Sequence, residues 1–338
     1  LPLSHVAERQ AVLMQSVLHG GTITFNEGPD FLLRDLVGCR PTFFFGAPRI
    51  WEQLRQQIEA DFGSAQALEE ALARDPQGTV LRARTLVGLD EARYLLTGAA
   101  PAYEDLINWW ARLGLSLMDG YGMTEAMGLI GSTAQNTRRG SIGKPVPGVE
   151  VRLSDSGELL CRADGMALGY YRREDETAAT FVDGWVHTGD RARVDGDGFY
   201  YITGRMKDYF KTIHGKYVAP APIEGRFSEC SCVDQLCLLG RGYSKTVMVC
   251  VLSPVALTQA RSATEAALIA QVGVVNSELE RHARIGAVIV AGEPWSIENG
   301  VLTATLKIRR AEVESRFAAL AERLGREAAE QGRALVNW

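Results

Sequence analysis

Between residues 41 and 125 the chain alternates between two apolar periods. "PTFFFGAP" (41–48) is a continuous apolar run closed by Gly and Pro, which predicts a short buried strand. Beyond it Ile50, Trp51, Leu54 and Ile58 recur at helical spacing. Pro48 suits the first turn of that helix, where its missing N–H leaves no bond unmade. Residues 60–90, rich in Ala, Glu and Arg, predict a helical insertion. "ARYLLTGAAP" (92–101) predicts a strand running into a glycine-rich loop, "AYEDLINWWARLG" (102–114) a helix, and "LSLMDGYGMTE" (115–125) a second strand and loop. Strand, helix, strand at this spacing implies parallel pairing through a crossover. Ligands of such sheets bind beyond the carboxyl ends of the strands, so the TGAAP and DGYGMTE loops are expected to face one crevice.

From about residue 140 the rhythm shortens. "VEVRL", "ELLCRA", "GWVHTGDRARV" and "FYYITGR" alternate with turn strings such as "SDSG" and "DGDG", predicting antiparallel structure in a small barrel. "DGDG" (195–198) lacks the spaced ligands and closing Glu of a calcium loop and reads as a hairpin turn. After "GRMKDYFKT" (204–212), strands such as "VDQLCLLG" and "VMVCVLS" mix with helices. In the last helix Val313, Phe317, Leu320 and Leu324 form an apolar stripe expected to pack on its own domain. The expected fold class is α/β in three parts. Residues 1–139 form an α/β subdomain, 140–205 an antiparallel β subdomain, and 206–338 a small α+β domain.

Composition narrows the class. The chain has 338 residues, 46% hydrophobic and 23% charged, an ordinary globular balance suggesting two or three domains. A net charge of −5 offers nucleic acid no basic stripe. Six cysteines, Cys39, Cys161, Cys230, Cys232, Cys237 and Cys250, spread over a long chain fit a reduced, cytoplasmic setting. Cys230, Cys232 and Cys237 lack paired CxxC spacing and a following histidine, and read as buried thiols rather than metal ligands. No run approaches the ~18 apolar residues that span a bilayer, and no signal peptide is visible. A GxxxxGK[ST] loop, a GxGxxG after a strand, a GxSxG elbow and an HExxH are all absent, which leaves a hydrolase triad without an anchor. Asp190 closes "HTGD", Arg205 closes "TGR", and Lys307 lies among apolar residues in "LTATLKIRR". Asp190 at a strand end could accept from vicinal hydroxyls. Singly, each also reads as a turn aspartate, a surface arginine or an ordinary lysine.

Together and in order, these strings resemble the adenylate-forming acyl-CoA synthetase superfamily, within it the long-chain fatty acid–CoA ligases. The resemblance rests on "LPLSHVAER" (1–9), "PTFFFGAPRIWEQL" (41–54), "LTGAAP" (96–101) and "DGYGMTEAMG" (119–128). It continues through "GELLCRADGMALGYY" (157–171), "DGWVHTGD" (183–190), "GRMKDYFKTIHGKYVAPAPIE" (204–224) and "PWSIENGVLTATLKIRR" (294–310), nearly the whole chain. It implies activation of a carboxylate as an acyl-adenylate by ATP and Mg²⁺, then attack by the thiol of CoA. Charge develops on the α-phosphate and the leaving pyrophosphate, so cations and donors are needed there. By this resemblance Gly98, Ala99, Ala100, Pro101, Asp119, Gly120, Tyr121 and Gly122 line the nucleotide site, with Tyr121 on the adenine. Thr124 touches the phosphates, Glu125 holds Mg²⁺, and Asp190 and Arg205 contact the ribose hydroxyls. Lys307 bridges the substrate carboxylate and α-phosphate, and His5 lies beside the acyl site, with a capping histidine as the alternative. Lys207 is the expected hinge of a mobile small domain. Lys211, His214, Gly215 and Lys216 are expected at the CoA tunnel, where a side chain at Gly215 would obstruct passage.

The resemblance also marks a departure. The superfamily's Gly/Ser/Thr-rich phosphate loop lies upstream of the segment matching "LPLSH", where this chain starts. The expectation is therefore a fragment, weak in ATP binding by itself, of a fatty acyl-CoA synthetase. The alternatives are an enzyme that loads another acid or a carrier protein, and a non-catalytic remnant that binds nucleotide or a partner. No protein partner is implied. Peripheral contact with a membrane is compatible with the substrate, although no anchor is visible.

Overall fold

The computed structural model describes residues 5–98, 104–133, 136, 138, 140–303 and 305–338. Contacts divide the chain into two units, Leu1–Thr188 with Ala192–Ile202, and Gly189–Arg191 with Thr203–Trp338.

In the first unit, α1 (Val6–Glu8), a π-helical stretch Arg9–Met14, α2 (Gln15–His19) and α3 (Leu32–Cys39) precede strand β1 (Phe43–Gly46). Helix α4 (Pro48–Asp61) starts with its proline at the expected first turn. The helical insertion is two helices. Ser64 caps α5 (Ala65–Arg74) by accepting from the Ala67 N–H, and Asp75 caps α6 (Pro76–Leu86) by accepting from the Gly78 N–H. Strand β2 (Tyr94–Gly98), α7 (Glu104–Arg112) and β3 (Leu117–Met123) follow, and β1, β2 and β3 pair in parallel. The sheet continues antiparallel into β4 (Ala126–Gly131) and β5 (Lys144–Pro145).

Its helical side is filled by large rings. Trp51 meets Phe44 and Trp110 edge-on at 5.2 Å each, and Trp110 meets Trp109 at 5.0 Å. T-shaped pairs set the positive ring edge against a negative face. Trp51 also donates from Nε1 to the Gly46 carbonyl at 3.0 Å, pinning α4 to the end of β1.

A second sheet contains β6 (Val149–Leu153), β7 (Glu158–Ala163), β9 (Trp185–Val194) and β10 (Tyr200–Arg205), in the order β10-β9-β7-β6. Helix α8 (Glu174–Thr180) leads to the short β8 (Phe181–Val182), which pairs with β9. The described pairings leave the order open at β6 and β10, where the turn-rich sequence suggests a barrel. Leu159, Cys161, Val186, Leu129 and Ile130 form its core.

In the second unit, β11 (Phe210–Lys211) and β12 (Tyr217–Val218) make a small hairpin before α9 (Pro220–Phe227). The main sheet has the order β13 (Val233–Leu239), β14 (Thr246–Leu252), β15 (Ile285–Val290), β16 (Leu335–Asn337). The first pair is antiparallel and the other two parallel. Every residue of β14 is buried, as expected of a strand covered on both faces. Met248, Cys250 and Leu252 point into one core with Phe227 of α9 and Leu268 of α11 (Arg261–Ser277), next to the short α10 (Pro254–Leu257). Val247, Val249 and Val251 point into the other, with Val313 and Leu324 of α12 (Arg310–Gln331). Phe317 and Leu320 pack on the same core, so the stripe read from the sequence serves its own domain.

One ion pair, with Glu224 buried and Arg310 half-buried, ties these layers together. Arg310, the first residue of α12, binds both Glu224 oxygens of α9 through Nη2, at 2.7 and 2.9 Å. Its Nη1 donates to the Leu238 carbonyl at 2.8 Å, and Glu224 accepts the Leu238 N–H at 2.7 Å. Burial is the largest single influence and disfavours the guanidinium charge, but Glu224, with Cys237 and Asp208, together hold the Arg310 pKa above its ordinary value. Removing one partner strands a charge in a low-dielectric site. Arg310→Met is therefore expected to lower unfolding free energy by roughly 3 kcal/mol. Denaturant melts that monitor the second unit check this, and a loss near zero would refute the role of the pair.

Candidate functional site

The stretch Asp119–Gly128 is a hairpin rather than a strand opening into a loop. Strand β3 runs through Asp119, Gly120, Tyr121 and Gly122 to Met123, and Met123 pairs with Ala126. Thr124 and Glu125 are therefore the two residues at the hairpin tip. The register shifts between Tyr121 and Met123, so the single residue Gly122 lies opposite three residues of β4, Met127, Gly128 and Leu129, and the extra residues are on β4. A Cβ on Gly122 would lie 2.7 Å from the Gly128 nitrogen, so only glycine allows this approach. On β2, Gly98 is the register partner of Gly120, and its Cβ would meet the Gly120 carbonyl oxygen at 2.9 Å. The ends of β2 and β3 thus sit side by side, as the parallel reading requires. Ala99, Ala100 and Pro101 lie outside the described residues.

Tyr121 is half-buried against the core of the second sheet, and Thr124 is exposed. Glu125 is half-buried, and the Tyr170 hydroxyl donates a short hydrogen bond to its Oε1. The Glu125 carbonyl accepts the Ala167 N–H at 2.8 Å, so the segment after β7 is laced to the hairpin tip twice. Tyr170 is itself fixed. Its N–H donates to Thr177 Oγ1 at 2.9 Å, and its ring meets Phe181 edge-on at 5.8 Å. Burial and then Glu125 raise the phenol pKa, which keeps it a donor. Sequence reading missed Tyr170 as a site residue. Its signal was the "GYY" that ends one of the matching strings.

Asp119 is buried on β3, and desolvation pushes its carboxyl up to about 7 while the Gly120 N–H pulls the other way. Its register partner Thr97 projects from the same face of the sheet, and Thr97 Oγ1 is buried with no hydrogen-bond partner among the described residues. His5 accepts the Ala7 N–H on Nδ1 at 3.2 Å, the geometry of a helix cap.

The second unit holds the remaining candidates. Arg205 donates from Nε to Asp190 Oδ1 at 2.9 Å, with Asp190 buried and Arg205 exposed. Lys307 follows a tight turn. The Leu306 N–H donates to the Thr303 carbonyl, and the Lys307 N–H donates to Thr303 Oγ1 at 3.1 Å. Leu306 adopts φ +61°, a left-handed conformation that costs a side-chain-bearing residue of order 1 kcal/mol or more. Desolvation, and then the positive Arg205, lower the Lys307 pKa, while Asp190 opposes them. Asp190, Arg205 and Lys307 are thus close enough to act on one another. Lys207 is exposed in the turn after β10. Lys211, His214, Gly215 and Lys216 are exposed around the β11–β12 hairpin, where the Gly215 N–H donates to Thr212. A Cβ on Gly215 would meet nothing within 4 Å of the protein, so the constraint visible there is its φ of +72°.

A metal at Glu125 would find one oriented carboxylate. Among the described residues no group of three or more His, Cys, Asp or Glu could hold an ion. That fits Mg²⁺ bound through one or two carboxylates together with substrate phosphates, and does not fit an all-protein cage.

A parallel α/β layer, an antiparallel sheet and a separate α+β unit, in this chain order, define an adenylation-type architecture. The chain belongs to the AMP-binding enzyme family, whose description matches residues 1–171, while the AMP-binding enzyme C-terminal domain matches 207–328. It is similar to the long-chain-fatty-acid–CoA ligase FadD15 of Mycobacterium bovis, 29% identical over 94% of this chain and 60% of that protein. It is 26% identical to the long-chain-fatty-acid–CoA ligase ACSBG2 of Gallus gallus over 94% of this chain and 51% of that one. The chain thus spans little more than half of these relatives' length. The adenylation domain of a carboxylate reductase from Mycobacterium chelonae superposes with a TM-score of 0.80 at 25% identity, covering 96% of this chain and 53% of that one. That of Segniliparus rugosus, solved with AMP and a co-purified carboxylic acid, gives 0.79 at 26%, covering 97% and 54%.

The buried Asp119 makes a pH prediction. An exposed aspartate titrates near 3.9, whereas here the fold favours the neutral acid up to about 7. This stabilisation is complete below pH ~4 and is lost as pH rises to about 7. Melting temperatures between pH 4.5 and 8 should show Asp119→Asn without this decline and more stable than the parent at pH 8. Parallel profiles would contradict the assignment.

Proposed function

We propose that the protein carrying this chain activates a long-chain fatty acid with ATP and transfers the acyl group to CoA. The hairpin that presents Thr124 and Glu125, with Glu125 oriented by Tyr170, is the observation that carries this reading. Relatives named long-chain-fatty-acid–CoA ligases that match 94% of the chain support the substrate class. Under this reading Thr124 donates to phosphate oxygens and Tyr121 packs on the adenine. Glu125 is the protein ligand of Mg²⁺, and Mg²⁺ when bound neutralises charge on the transferring phosphates. Asp190 and Arg205 take the ribose hydroxyls. Lys307 supplies a point charge between the carboxylate and the α-phosphate. Lys207 is the hinge that exchanges Lys307 for the Lys211–Lys216 loop, where CoA enters. The domain division proposed is 1–139, 140–205 and 206–338, in a cytoplasmic protein.

A second reading is transfer to a carrier protein, since the carboxylate reductase structures include an adenylation domain joined to a carrier. AMP release by the whole protein, measured with fatty acids of increasing length and with CoA or a carrier domain as acceptor, separates the two. AMP release confined to short aromatic acids would refute the long-chain assignment.

Two substitutions test the residue roles. Lys307→Ala should slow adenylation roughly 10²–10³-fold, yet leave thioester formation from supplied acyl-adenylate near its original rate. Equal loss in both half-reactions would remove Lys307 from the adenylation step. Tyr170→Phe should raise the Mg²⁺ concentration needed for half-maximal AMP release, with little change at saturating Mg²⁺. An unchanged Mg²⁺ requirement would show that Tyr170 does not orient Glu125.

A further inference from the structure

We propose that Cys230 and Cys232 are a modification site, closing to a reversible intramolecular disulfide when the protein meets a hydroperoxide. The two Sγ atoms lie 2.7 Å apart across a Cys-Ser-Cys segment, nearer than separate thiols need to be. Forming a bond of ≈2.05 Å requires them to close by only about 0.7 Å.

The backbone, rather than a chance rotamer, holds them there. The Cys230 N–H donates to the Phe227 carbonyl at the end of α9, and the Val233 N–H returns to the Cys230 carbonyl, closing a tight turn around the pair. Ser253 pins the middle of the turn. Its N–H donates to the Cys232 carbonyl and its Oγ to the Ser231 carbonyl, both at 2.9 Å. Each residue of the segment is thus tied by its main chain, and little chain entropy remains to be lost on closure.

The chemistry balances with one hydroperoxide per pair. The Cys230 thiolate attacks the peroxide O–O bond, giving a sulfenic acid and releasing water or an alcohol. The Cys232 thiol then attacks that sulfur, the S–S bond forms, and the hydroxyl leaves as water. Two thiols are oxidised by two electrons and the peroxide is reduced.

The rest of the thiol inventory makes the site selective. The contact between the two thiols favours one thiolate at the other's expense: it lowers the Cys230 pKa to about 7 and raises that of Cys232. Burial pushes Cys161, Cys237 and Cys250 up to about 12, and burial also raises Cys39. Reactivity follows the thiolate, so Cys230 should react first. Cys250 shares the apolar core with the pair and is the competing partner.

Peptide mapping of the full chain tests this. The protein is treated with hydrogen peroxide, denatured in N-ethylmaleimide and digested. The expected product is a peptide containing residues 230–232 that has lost two hydrogens, carries no maleimide and regains both sites after dithiothreitol. Cys232→Ser should abolish it and leave a dimedone-reactive sulfenic acid at Cys230, whereas Cys250→Ser should leave it intact. The parent map decides the matter even where a variant folds poorly. Full alkylation of both thiols at a dose that oxidises Cys39, or a crosslink from Cys230 to Cys250, would overturn the proposal.

Discussion

The pairing of Arg310 with Glu224 is the constraint on which the second unit depends. Glu224 is buried and Arg310 half-buried, and the guanidinium meets both carboxylate oxygens through Nη2. The pair joins three elements far apart in sequence: α9 through Glu224, β13 through Leu238 and α12 through its first residue. It also fixes where the chain enters α12, and Lys307 lies three residues before that point. The Thr303–Leu306 turn needs an unfavourable φ at Leu306, and a strained turn persists only where both flanks are held. Val301 and Leu302 on one side are fully buried, and Arg310 anchors the other. Rigid ends with a strained, exposed turn between them present Lys307 in a defined place without burying its ammonium completely.

The first unit solves a similar problem by other means. Its hairpin tip carries two polar residues, and neither Thr124 nor Glu125 has a positive φ. The strands are brought together instead opposite the irregular stretch Met127–Leu129 of β4, where the missing Cβ of Gly122 lets the backbones touch. Glu125 would be free to rotate on such a tip. The Tyr170 phenol removes that freedom, and the phenol is itself locked by Thr177 and Phe181. A carboxylate held by a neutral donor keeps its charge and most of its acceptor capacity, which a lysine or arginine partner would have consumed.

Much of this was legible in the sequence where a single period controlled the outcome. Ile50, Trp51, Leu54 and Ile58 gave α4, and the strand–helix–strand spacing of 92–125 gave the parallel β2–β3 pair, because burial on one face dictates both patterns. The stripe from Val313 to Leu324 was equally clear. The hairpin at 124–125 was not, since Thr-Glu is not turn chemistry and the glycine that makes the turn possible lies two residues upstream. The direction of β15 was hidden because a fully buried apolar strand reports burial and not orientation. The hydrogen bond from Tyr170 to Glu125 spans 45 residues, and no local pattern encodes it.

The electrostatics of the second unit complete the picture. Arg205 and Lys307 are like charges near one another, and part of the lowering of the Lys307 pKa comes from that repulsion. Asp190 moderates it by pairing with Arg205 at 2.9 Å. Desolvation is the larger cause of the lowering, with Arg205 second and Asp190 opposing both. The left-handed backbone at Leu306 sets where the lysine leaves the chain, within electrostatic reach of Arg205 and Asp190.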